Sequence, residues 1–115
     1  MELPKGQALN IEFIMENKTS QRSNETLNSV LEVFQALSHP IRLEICRILM
    51  VQQHSVGTLC AMLGMKQYTV SQQLAVLRKA QIVTTRRDAR RVIYALTNTK
   101  VQQILRISIT NLSEH

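Results

Sequence analysis

The stretch KQYTVSQQLAVLRKAQIVTTRRDARRVIYAL, residues 66–96, decides the fold of this chain. In its first half the apolar residues Val70, Leu74 and Leu77 recur at helical spacing, which predicts a helix over Gln67–Ala80. The opposite face of that helix is polar and carries no charge until its last turn. A helix divided in this way packs on one side and leaves the other side open to a partner.

The second half of the stretch has the alternation that is typical of β-strands. Residues 82–86 and 91–97 are rich in β-branched and apolar side chains, so we predict a hairpin with residues 87–90 at its tip. Asp88 can bond to the backbone of its own turn. Four basic residues lie around this tip, namely Arg86, Arg87, Arg90 and Arg91.

Outward from this stretch, the pattern predicts three helices before it and one after it. Apolar residues at i, i+3, i+4 and i+7 spacing predict helices over Asn24–Leu37 and Thr99–Leu112. Pro40 suits the first turn of another helix, and Ser55 can cap a third, which ends at Gly64 in a left-handed conformation. The predicted fold is mainly α with a β-hairpin wing, a dimeric winged helix-turn-helix with the order α-α-α-α-β-β-α.

Charge is distributed unevenly along the chain, whose 115 residues carry a net charge of +6. Residues 1–44 hold six acidic and four basic side chains, whereas residues 45–115 hold ten basic ones against Asp88 and Glu114. This distribution favours a polyanion, double-stranded DNA, as the partner. The expected organisation is an arm over 1–23, flexible or with one short helix, a DNA-binding and dimerisation domain over 24–112, and a tail over 113–115.

Two groups of side chains are candidates for contact with DNA. Amides and hydroxyls on the predicted reading helix can bond to base edges in the major groove, although an ordinary solvated helix face is the alternative. The guanidinium groups of the wing can bind phosphates or enter a narrow minor groove. Arg42, which lies outside the wing, is a further candidate for binding a phosphate. Arg78 and Lys79 equally suit the dipole of their own helix. The candidate DNA-binding residues are Lys66, Gln67, Tyr68, Thr69, Ser71, Gln72, Gln73, Arg78, Arg86, Arg87, Arg90 and Arg91.

The first and last amphipathic helices carry more apolar surface than a small core needs. A second copy of the chain would bury it across a twofold axis, and a symmetric dimer reads a near-palindromic site. The alternative is that both helices pack only on their own subunit. The candidate dimer-interface residues are Leu27, Val30, Leu31, Phe34, Val101, Ile104, Leu105, Ser108 and Leu112.

The cysteines and histidines do not predict a metal centre or another cofactor. Two cysteines without an N-terminal secretion signal or membrane span suggest a reducing cytoplasm. Cys46 lies in an apolar helix and is interpreted as a core residue. Cys60 is either packed in the core or a reactive thiol, and with His54 it makes only an incomplete metal site. No glycine-rich phosphate loop or nucleophile motif points to an enzyme or a small-molecule substrate.

Four segments of the chain resemble the ArsR/SmtB family of bacterial winged-helix repressors. They are ALSHPIRLEICRIL (36–49), SVGTLCAMLGM (55–65), TVSQQLAVLRKAQIV (69–83) and TTRRDARRVIYAL (84–96), within a similarity that covers residues 27–112. The resemblance implies a five-helix dimer that pairs through its first and last helices and represses an operator until a signal relieves it. The wing is most similar to the branch that includes the rhizobial nodulation repressor, which lacks a metal site.

Several positions depart from the family pattern. The metal sensors of the family often carry a Cys-x-Cys motif on the third helix, where this chain has only Cys60. The last helix has no Asp or His that could serve as a ligand. Lys66 replaces the capping Ser before the reading helix, Gln73 replaces its common His, and Gln81 replaces its final Gly, so that Gln81 is expected to adopt a left-handed backbone.

We therefore expect a homodimeric repressor without the usual metal site. The alternatives are a thiol- or metal-responsive repressor that uses Cys60 and His54, a winged-helix module that binds protein, and an activator that uses the same DNA contacts.

Overall fold

The computed structural model describes the backbone of residues 19–113 and the side chains of residues 24–109. The chain divides into two units within its first described helix, between Glu32 and Val33. The predicted order of four helices, a hairpin and a last helix is confirmed, with one short strand in addition. The elements are α1 (Thr19–Leu37), α2 (Pro40–Val51), β1 (His54–Ser55), α3 (Val56–Leu63), α4 (Gln67–Lys79), β2 (Val83–Asp88), β3 (Arg91–Leu96) and α5 (Thr99–Ser113).

Local side-chain chemistry fixes where α2 and α3 begin. His39 is the N-cap of α2, and its Nδ1 atom accepts from the amide of Ile41 at 3.2 Å, while Pro40 occupies the first turn as predicted. Ser55 caps α3 by accepting from the amide of Thr58 at 3.2 Å. Both caps satisfy amides that have no partner inside the helix, so each helix starts at a residue that the sequence defines.

The helix α1 is longer than the sequence predicted. It begins at Thr19 rather than at Asn24, so part of the predicted arm is helical. Residues 19–24 contain neither glycine nor proline, and polar side chains alone do not interrupt a helix. The remainder of the predicted arm, residues 1–18, and the last two residues of the predicted tail lie outside the described residues.

The strands form an antiparallel sheet in the order β1-β3-β2. In β1, His54 pairs with Tyr94 and Ser55 pairs with Ile93, an addition that the sequence did not predict because a two-residue strand has no detectable alternation. The pairing of β2 with β3 continues as far as Asp88 opposite Arg91. The turn is therefore only residues 89–90, two residues shorter than the predicted tip.

The core lies among α2, α3, α4, the wing and α5. Leu59, Leu74 and Leu77 are fully buried there. Val101 and Leu105 of α5 belong to the same core, with 1% and 5% of their surfaces exposed. The prediction that these two residues line a dimer interface is therefore wrong, because helical spacing identifies an apolar stripe without showing which side of it faces the subunit's own core.

The end of α4 contains a non-glycine residue in the left-handed region. The amide of Gln81 donates to the carbonyl of Arg78, and that of Ile82 donates to the carbonyl of Leu77, both at 2.9 Å. This pair of hydrogen bonds closes a helix end only when the residue before the last donor has a left-handed backbone. That residue is Gln81, whose φ is 61°. The expectation from the sequence is confirmed here, and Gly64 at the end of α3 adopts φ 65° as predicted.

We predict that Gln81→Gly increases the free energy of unfolding by about 0.5–1 kcal/mol. Glycine removes a left-handed cost of about 1–2 kcal/mol, and the greater freedom of the unfolded chain offsets about half of that gain. Urea denaturation followed by circular dichroism measures the change. The matched control is Gln103→Gly, at an exposed position within α5, which should instead lower stability by about 1 kcal/mol. A loss of stability at position 81 would contradict the prediction.

Candidate nucleic-acid interface

The two faces of α4 differ in burial as the sequence pattern predicted. Val70, Leu74 and Leu77 are completely buried against the core. On the other side Gln67, Tyr68 and Gln72 are exposed. The core contacts therefore fix the helix and turn a polar, uncharged surface outward.

The remaining polar residues predicted on this helix differ in their accessibility. Thr69 and Ser71 are half-buried, so each presents only part of its side chain. Lys66 is exposed and stands at the N-cap, but its side chain makes no capping hydrogen bond. Arg78 is exposed in the last turn, where its charge complements the helix dipole.

The predicted reader Gln73 is half-buried, and its amide oxygen is bonded to Arg42. The Arg42 guanidinium donates to the Oε1 atom of Gln73 at 2.8 Å, to the carbonyl of Ala36 at 2.5 Å, and more weakly to the carbonyl of Gln35 at 3.4 Å. The two carbonyls belong to the last turn of α1, where a positive charge is favourable. Arg42 thus connects α1, α2 and α4, a role that the sequence could not show because its partner Gln73 is 31 residues away.

The wing presents its arginines on both faces of a two-stranded ribbon. Arg86 and Arg87 are neighbours in β2, so their side chains leave opposite faces. Both are exposed, as are Arg90 and Arg91. Arg91 lies 3.8 Å from Asp88, an exposed pair of small energetic value, while Arg87 and Arg90 form no ion pair with any residue in the described part of the chain.

The wing and the beginning of α4 border one groove of about 300 Å³. Gln67 of α4 and Arg90 and Arg91 of the wing all line it. The first residues of α3, Val56 and Gly57, also line it. The backbone amides at the start of a helix carry partial positive charge, so the groove is electropositive and suits an anion such as a phosphate. Sequence reasoning did not include Val56 or Gly57 in the site, because the pairing of β1 with β3 is what brings the start of α3 to the wing.

Among the described side chains, residues 24–109, the thiols and histidines do not gather into a metal site. Cys46 is fully buried in α2, which confirms its interpretation as a core residue, and burial raises the pKa of its thiol to about 12. Such a thiol stays protonated and is a poor nucleophile and a poor metal ligand. Cys60 is half-buried against the core, and His54 lies in β1. Within residues 19–113, no three His, Cys, Asp or Glu side chains are placed to hold a metal ion together.

Between residues 19 and 113, no helix is both long enough and apolar enough to cross a membrane.

Comparison with known proteins relates the chain to bacterial regulators. The pattern of the bacterial regulatory proteins of the arsR family matches residues 39–85. The biofilm growth-associated repressor of Xylella fastidiosa is 39% identical over 87 residues, which are 76% of each chain. The nodulation protein NolR of Rhizobium meliloti is 37% identical over 70 residues, 61% of this chain and 57% of NolR, as the resemblance of the wing predicted.

A solved structure agrees with these relatives. The homodimeric winged helix-turn-helix DNA-binding domain of Mb0332 from Mycobacterium bovis superposes with a TM-score of 0.76 at 26% identity. The match covers 82% of this chain and 87% of that one.

We predict that Arg42→Ala lowers the free energy of unfolding by about 2 kcal/mol, because three acceptors lose a charged donor. Arg42→Lys should recover little of this loss, since an ammonium group lacks the planar fork that reaches three acceptors. The matched control is Arg47→Ala on the same helix, which removes only an exposed contact with Glu44 and should cost no more than about 0.5 kcal/mol. Equal effects at the two positions in thermal and urea denaturation would contradict the role of Arg42.

Proposed function

The chain belongs to the ArsR family of bacterial regulatory proteins and is a DNA-binding transcriptional regulator, and we propose that it acts as a homodimeric repressor in the cytoplasm, binding a near-palindromic operator. It is a binding protein in this proposal, not an enzyme. Gln67 and Gln72 contact base edges, with Tyr68 beside Gln72 on the same face of α4, while Thr69 and Ser71 contribute smaller polar contacts. The wing arginines bind the backbone or the adjacent minor groove.

The groove shared by α4 and the wing is the observation that carries this proposal. Because Gln67 and Arg90 border the same space, a duplex whose major groove holds the start of α4 also lies against the wing. A helix and a basic ribbon that face one duplex provide the two kinds of contact that recognition needs, one reading bases and one binding phosphates.

The start of α3 supports a third contact with the same duplex. Its cap leaves the amides of Val56 and Gly57 without partners inside the helix, and these residues line the groove beside Arg90. A phosphate placed there would meet backbone amides and a guanidinium together. The contact would fix the register of α4 along the groove without itself reading sequence.

Apolar residues left exposed on α1 and α5 support self-association. On α1 these are Leu27, Val30, Leu31 and Phe34, and on α5 they include Ile104 and Ile107, the latter 61% exposed. Large apolar side chains in a row along a helix commonly mark a protein interface. Ser108 is exposed on α5 as well, whereas the side chain of Leu112 lies outside the described residues. A second copy is the occupant that we propose for both surfaces, and its twofold symmetry would place two copies of α4 on successive turns of the duplex.

We predict that Arg90→Ala weakens binding to every duplex and lowers the slope of log K against log salt by about one unit, because one phosphate contact is lost. The measurement is fluorescence anisotropy with a random-sequence duplex and with a duplex selected by the wild-type protein, across a series of salt concentrations. Lys100→Ala, at an exposed position in the first turn of α5, is the control and should leave the slope unchanged. An unchanged slope in Arg90→Ala would remove this residue from the proposed interface.

We predict that Leu31→Glu yields a monomer that binds a palindromic duplex at least about a hundredfold more weakly, because a carboxylate would be buried without a partner in the dimer. Analytical ultracentrifugation gives the mass, and anisotropy gives the affinity. Met62→Glu on α3 is the matched control, since Leu31 and Met62 are both 53% exposed. A Leu31→Glu protein that remains a dimer would exclude this surface from the interface.

A further inference from the structure

Tyr68 and Gln72 form a bonded pair on the open face of α4. The Nε2 atom of Gln72 donates to the phenol oxygen of Tyr68 at 2.9 Å, across one turn of the helix. Both side chains are exposed, and Tyr68 keeps 73% of its surface accessible. No contact with the core requires a tyrosine at this position, so its hydroxyl is available for another role.

The bond fixes a side chain that would otherwise turn freely. The terminal amide of an exposed glutamine has two orientations of similar energy, which exchange the positions of its oxygen and its nitrogen. The phenol of Tyr68 accepts one of the two amide hydrogens. Because a hydroxyl can also donate to an amide oxygen, this bond restrains where the amide of Gln72 lies and does not by itself select one of the two orientations. The other amide hydrogen and the Oε1 atom of Gln72 then remain for an outside partner, and no side chain of residues 24–109 competes for that oxygen.

An amide held in place distinguishes bases. In the major groove adenine presents an acceptor, N7, beside a donor, the N6 amino group, which together match the amide of glutamine. Guanine presents two acceptors, N7 and O6, so in either orientation the amide oxygen would face one of them without a hydrogen between the two atoms. A side chain that is free to move away avoids part of this mismatch and discriminates less.

We propose that Tyr68 is a specificity-determining positioning residue, which holds the amide of Gln72 for adenine and against guanine in each half-site. This inference rests on the proposed function of α4 as the reading helix. The other two glutamines of α4 that were predicted to read bases lack this arrangement. Gln73 is held by Arg42, and Gln67 has no hydrogen-bonded partner among the described side chains.

The test compares base preference in Tyr68→Phe with that in the wild-type protein. A duplex is first selected from a randomised pool by the wild-type protein, and each base pair of one half-site is then replaced in turn. We expect Tyr68→Phe to lower the preference for adenine over guanine about fivefold at one position of the half-site, the value of one net hydrogen bond. Its affinity for a random-sequence duplex should stay within about twofold, because phosphate contacts determine that affinity.

Two further variants separate the positioning role from other roles of the hydroxyl. In a Gln72→Ala background, Tyr68→Phe should have no additional effect at that position, since nothing remains to be positioned. Tyr94→Phe, which removes the hydroxyl of the only other tyrosine in the chain, should leave every preference unchanged.

The possible results are distinct. An equal loss on selected and random duplexes would show that Tyr68 binds a phosphate, and it would overturn the inference. An unchanged adenine preference in Tyr68→Phe would also overturn it. Failure of the wild-type protein to select any duplex from the pool would instead refute the proposed function itself.

Discussion

The guanidinium of Arg42 joins three helices, and through it the end of α1 and the start of α2 are tied to α4. From its position on α2, it donates hydrogen bonds to backbone carbonyls at the end of α1 and to the amide oxygen of Gln73 on α4. An arginine suits this task because its donors lie in one plane and point to several acceptors at once. The buried face of α4 supplies most of the packing energy and fixes the helix, whereas Arg42 adds a directional contact to it through Gln73.

The central strand β3 positions the wing. It pairs with β2 to make the arginine ribbon and with β1 to bring the start of α3 alongside that ribbon. Strand pairing is directional, so it fixes the distance between the wing and α3 more closely than apolar contact alone would. The electropositive groove is a product of this arrangement, since its lining comes from Ser55 of β1, the start of α3, the turn and first residues of β3, and the first residue of α4.

The polar face of α4 is organised unequally, and this bears on how a sequence is read. Gln73 is bonded to Arg42, Gln72 is restrained by a neighbouring tyrosine, and Gln67 is free to adapt. A restrained side chain loses less conformational entropy on binding and rejects a wrong partner more strongly, whereas an adaptable one tolerates variation. In the proposed complex with DNA, a helix with both kinds would be strict at one position of a half-site and permissive at another.

The sequence by itself determined the elements that depend on neighbours along the chain. Periodicity defined the helices, Ser55 and Pro40 marked where two of them begin, Gly64 marked a left-handed end, and the arginine cluster marked the wing. Each of these features arises from residues within about one turn of one another, where the local pattern carries the physical cause.

Only the tertiary structure decided which apolar and polar residues face inward. It placed Val101 and Leu105 in the core while leaving Ile104 and Ile107 exposed, although all four belong to one amphipathic stripe. It also paired Arg42 with Gln73 and β1 with β3. These contacts join residues that are far apart in the chain, so the energies that select them arise only when the whole core has packed.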